Sequence, residues 1–93
     1  MVGREAAEVL ALQALGWNAA DEGRLAAFLA ASGAGLGEVR ARASDPLFLA
    51  AVLDALLADE RAVRAFCADA GVPLDAPMAA RAALPGGDLP HWT

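Results

Sequence analysis

Residues 20–36, ADEGRLAAFLAASGAGL, and residues 58–74, ADERAVRAFCADAGVPL, open alike and share two landmarks. Each begins Ala-Asp-Glu, with a Phe seven residues after the Asp and a Gly twelve after it. An Asp before a short apolar-periodic run marks a helix start, because its carboxylate accepts from the unpaired N–H groups of the first turn. A Gly at the far end takes the left-handed conformation that stops the last turn. The spacing therefore predicts one helix between Asp21 and Gly33 and another between Asp59 and Gly71, each turning its Phe inward.

The likeness extends beyond these landmarks. A shift of 38 residues gives nine identities over positions 15–36, with Leu15 on Leu53 and Leu36 on Leu74 at its ends. Three of the nine are Ala, too common here to weigh much; the Asp-Glu pair, the Phe and the Gly carry the case. The pattern predicts a tandem duplication: two three-helix halves, about 4–43 and 45–84, in one all-α domain. The halves are expected face to face about a pseudo-twofold axis, with Leu15, Leu25, Phe28, Leu53, Val63 and Phe66 as the core. Two copies are too few for a solenoid.

The remaining helices follow from local signals. Arg4 to Ala19 reads as the first, with Val9, Leu12, Leu15 and Ala19 as its apolar face and Glu5 and Glu8 near its positive end. Glu38 to Ala43 reads as a short third helix after a glycine-rich link. Asp45 and Pro46 fit the cap and first position of a fourth, Pro46 to Leu57, which is apolar on nearly every side and so should be buried on all sides. Asp75 is the expected cap of a sixth, from Ala76 to Leu84. Residues 85–93, PGGDLPHWT, hold turn residues without a period and read as an extended or flexible tail.

Composition narrows the function. The 93 residues are 58% apolar, with a formal net charge of −5 and all seven cations Arg. Two Arg pairs on an acidic chain do not make a phosphate-neutralising face, so nucleic acid is not an expected partner. The longest apolar stretch, Leu47 to Leu53, is far short of the ~20 residues that span a bilayer, and no signal peptide is read at the N-terminus. A single cysteine excludes an internal disulfide, and the cytoplasm is the expected compartment.

No catalytic, cofactor-binding or metal-binding set is expected. The twin Asp-Glu pairs could suggest paired acid and base groups, but their place at helix starts assigns them to capping. Cys67 lies one residue after a core Phe, with the lone His91 distant in sequence, and reads as a buried, inert thiol. The candidate partner-binding residues are Trp17, Asn18, His91 and Trp92. Trp17 and Asn18 stand where the second half has Ala55 and Leu56, and His91 and Trp92 close the chain. The expected function is a non-enzymatic protein–protein interaction module, self-association as a homodimer included. The alternative is a small-molecule or peptide binder with a pocket between the halves, lined by Trp17, Asn18 and phenylalanines.

The stretches LQALGW, ADE, DPLFLAAVLDALLADE, FCADAG and LPGG together resemble a family of small alphaproteobacterial proteins classed as a domain of unknown function. The likeness runs from about Leu10 to Gly87. It implies a soluble, all-helical bacterial protein of about ninety residues, and brings no activity, substrate or catalytic residue.

Overall fold

Asp21, Asp45 and Asp59 each accept a hydrogen bond from a backbone N–H of the helix that follows, at 2.9–3.0 Å. Gly33 and Gly71 end two helices with φ of +72° and +70°. These starts and stops set the element order of the computed structural model, which describes residues 3–85. The helices are α1 (Arg4–Ala19), α2 (Glu22–Ser32), α3 (Leu36–Arg42), α4 (Pro46–Leu57), α5 (Glu60–Ala70) and α6 (Ala76–Ala82). No strand occurs among the described residues. Pro85 is the last described residue; the expectations for Gly86, Gly87, His91, Trp92 and the rest of the tail lie outside the described residues.

α4 is the axis of the molecule, packed against α1, α2, α5 and α6. Phe48, Leu49, Val52, Leu53 and Leu56 are all buried along it. Burial of each such side chain is worth about 1.5–3 kcal/mol before chain entropy is opposed to it. One stripe of α4 stays open, however: Leu47 is 64% exposed, and Ala51 and Asp54 face solvent. The expectation of a helix covered on all sides is corrected to that extent. The neighbours cover three sides; on the fourth Arg81 reaches Asp54, and Phe28, Ala31 and Arg42 flank the stripe without covering Leu47 or Ala51.

α1 also departs from its expected face. Val9 and Leu12 are 52% and 44% exposed, while Ala7, Leu10, Ala11, Ala14 and Leu15 are buried. The inward stripe is mostly alanine, and small side chains let α1 approach both α4 and α6 closely. Larger side chains on the outer face gave the stronger periodic signal but belong to solvent.

Three smaller corrections concern the third helices and the core. α3 begins at Leu36, two residues early, because the Glu38 carboxylate reaches back to accept from the Gly35 N–H at 3.1 Å. Asp75 makes no side-chain cap; Ala76 N–H donates to the Pro73 carbonyl instead, and α6 closes at Ala82 rather than Leu84. Leu15, Phe28, Leu53 and Phe66 are in the core as expected. Val63 packs on its edge, while Leu25 is half-buried outside the cluster.

α1 lies against α2 as α4 lies against α5, and α1 touches α5 as α2 touches α4. The third helices break this pattern. α6 is wedged between α1 and α4, whereas α3 makes no comparable contact with either.

Candidate functional site

Trp17 sits in the last turn of α1, where the helix's final carbonyls have no partner within the helix. Arg24, in the first turns of α2, supplies one: its Nε and Nη2 both donate to the Trp17 carbonyl, at 3.1 and 2.8 Å. The same guanidinium lies 4.0 Å from the centre of the indole ring. On its other side the indole meets Phe66 edge to face, with centroids 5.8 Å apart, and its Nε1–H donates to Asp69 at 2.7 Å. Three helices are thus tied at one half-buried Trp. Arg24 and Asp69 escaped sequence reasoning because their contacts span 7 and 52 residues and follow no local pattern.

Trp17 covers Phe66. Beside Phe28 stands Ala55, whose methyl group cannot cover a phenyl ring as an indole does. A hollow results. It runs between α2 and α4 as two adjoining clefts of about 240 and 420 Å³ that share Phe28, Ala31 and Ala55. The first is bounded by Trp17, Asn18, Arg24 and Asp59. The second continues over Phe48 and Ala51 to Leu47, Arg42 and Asp54. Phe28 and Phe48 meet edge to face at 6.2 Å beneath it.

The walls of this groove are mostly small and apolar; Arg24 and Asp59 stand at one end, Arg42 at the other, and Asp54 between them on α4. Arg42 lies 5.5 Å from the Phe48 ring and 3.8 Å from Asp45. Asp54 accepts from Arg81 Nε at 2.7 Å, and Arg81 also donates to the Pro85 carbonyl at 3.1 Å. Trp17 and Asn18 are thus brought together at one end of the groove. Asn18 offers an amide there, half-buried.

Among the described residues the one hydroxyl lining the groove is that of Ser32, which donates to the Leu29 carbonyl at 3.4 Å and accepts from the Ala34 N–H at 3.2 Å. Cys67 is buried in α5 against the core, and burial, with Asp75 adding a smaller effect, pushes its thiol above the ordinary range. A thiol held protonated is a poor nucleophile. The Asp-Glu pairs stand at two separate helix starts, with Asp21 and Asp59 bonded to backbone N–H groups. Among the described residues no group of three His, Cys, Asp or Glu could hold a metal ion, and no helix is long and apolar enough to cross a membrane.

The family model described as protein of unknown function DUF3572 matches residues 4–87. The chain belongs to this family. No curated protein and no solved structure matches it. Membership in DUF3572 assigns no activity and leaves the chemistry to be read from the groove itself.

Proposed function

We propose that this DUF3572 protein is a non-enzymatic interaction module that works in the cytoplasm and holds an apolar protein segment in the groove between α2 and α4. The observation that carries this reading is the groove itself. Two clefts join over Phe28, Ala31 and Ala55, with aromatic floor, mostly alanine walls and few charges, Arg24, Asp59, Arg42 and Asp54. Such a surface suits an apolar helix ridge better than a polar small molecule, since nearly all it offers is contact area. Reading the chain as a duplicated cap–core–stop unit supports the same conclusion. Matching caps, matching buried Phe residues and matching Gly stops leave Trp17 against Ala55 as the difference that opens one side.

Ala31 tests the reading. It is exposed and lines both clefts, so Ala31→Glu places a carboxylate on the groove without disturbing the core. Tagged wild type should retain partners from the lysate of its own cells that Ala31→Glu loses, with melting temperatures of the two within about 2 °C. Identical captured sets would exclude the groove as the working surface.

A further inference from the structure

We infer that the occupant of the groove is a second copy of this chain, joined through the open stripe of α4 about a twofold axis at Ala51. The inference rests on the groove being the interaction surface and names what fills it.

α4 has one largely open side among the described residues, touched at Asp54 by Arg81, and its pattern is self-complementary. Leu47, Ala51, Asp54, Ala55 and Ala58 recur at the three- and four-residue spacing of a single helix face. Leu47 and Ala55 lie four residues on either side of Ala51. A twofold axis at Ala51 runs the two α4 helices antiparallel and sets Leu47 of each opposite the partner's Ala55. That is a protruding side chain facing the hollow that Ala55 leaves open over Phe28. Leu47 is the most exposed of the large side chains along the groove, and the cleft beside it measures about 420 Å³. Knob and hole come from the same surface, as a symmetric interface requires. Ala51 at the axis lets the helices approach closely.

The charges agree with this pairing. The chain carries a net −5, so two copies repel unless the contact face carries both signs. This face does. Arg42 stands at the Leu47 end of the groove and Asp54 two turns further along α4. The antiparallel arrangement brings Arg42 to the partner's Asp54, twice per dimer. Partner recognition of this kind needs no Trp17 contact, which leaves the indole as the brace of the groove's far end.

One helix row with its flanks falls near the low end of specific interfaces, about 1,200 Å² in total. The dimer is therefore measured by sedimentation over a concentration series from micromolar to millimolar. Wild type should approach the mass of two 9.4 kDa chains. Leu47→Glu, which puts a carboxylate against apolar contacts and near the partner's Asp54, should raise the dissociation constant at least tenfold. Leu47→Arg, which removes the same apolar knob and meets the partner's Arg81–Asp54 pair, should raise it as well. Since Leu47 is exposed in the single chain, both variants should keep the wild-type helical circular dichroism. A wild type that stays monomeric at millimolar concentration overturns the inference, whether the groove then holds residues 86–93, another protein or water. If Ala31→Glu still loses lysate partners in that case, the groove reading stands and only the second copy falls. A dimer unaffected by Leu47→Glu also overturns it.

Discussion

Trp17→Ala should be the most damaging change that can be made outside the buried core. A Trp buries up to about 250 Å² when fully enclosed. With the indole half-buried, roughly 100 Å² is at stake, or about 2–3 kcal/mol at ~25 cal/mol per Å². The edge-to-face pair with Phe66, the bond to Asp69 and the Arg24 stack add about 1–2 kcal/mol together, discounted because Asp69 and part of Arg24 are wet. The expected loss is about 3–5 kcal/mol, a large part of the 5–14 kcal/mol typical of a chain this size. At 4–8 °C per kcal/mol the midpoint should fall by about 12–40 °C. Trp17→Phe keeps an aromatic ring but removes the N–H and part of the indole's contact area, so it should lose about 1–2 kcal/mol. Urea unfolding by circular dichroism on Trp17→Phe, Asp69→Ala and the double variant measures the coupling, expected near 1 kcal/mol. Additive losses, or a Trp17→Ala loss below about 1 kcal/mol, would refute the view that this residue ties three helices.

Four further outcomes can be checked by the same methods. Asp59→Ala should cost about 1 kcal/mol, because Asp59 accepts from both Arg61 and Ala62 N–H groups; no change in midpoint would remove the cap. Gly71→Ala should cost about 1 kcal/mol from backbone strain alone, since φ is +70° and an added Cβ meets nothing within 4 Å. Leu53→Ala, at the centre of α4, should cost about 2–5 kcal/mol. Cys67 should react with a thiol reagent only as fast as the protein opens. Its raised pKa also sets a sign: the stabilisation is present in full below the thiol's unfolded pKa and is lost as pH rises past it toward the folded value. Urea midpoints that stay flat or rise between pH 8 and 10 would contradict that contribution.

Helix starts and stops were legible because they are local. Asp21, Asp45 and Asp59 cap within three residues of themselves, and Gly33 and Gly71 adopt the one conformation that Gly alone takes without strain. Asp75 misled because the preceding Pro73 carbonyl already holds the Ala76 N–H. The inward face of α1 was not legible, since an alanine stripe gives less periodic contrast than Val9 and Leu12 on the opposite side. What chose between the faces was α6, packed where only small side chains fit.

The site was legible in its contrast and not in its contacts. The sequence singles out Trp17 and Asn18 by their mismatch with Ala55 and Leu56, and these residues stand together at one end of the groove. The brace around Trp17 cannot be read from the sequence: Arg24 reaching to a carbonyl seven residues back, and Asp69 reaching the indole from α5, depend on how the helices cross. The open stripe of α4 was hidden for a similar reason. A helix with no polar face is expected to be covered, and only the packing shows which side is left.

The most direct test of the α4 face as the contact between two copies is a cysteine at its centre. Helix axes about 8–10 Å apart, with Cα atoms about 2.3 Å from each axis, bring the two position-51 Cα atoms to roughly 3–5 Å. A disulfide needs about 4.4–6.8 Å, so the wider helix spacings reach it. Ala51→Cys, with Cys67 left in its buried place, should form a covalent dimer under mild oxidation at micromolar concentration, while wild type does not. Ala51→Cys that remains monomeric under the same oxidation, with its thiol freely labelled, would contradict the account.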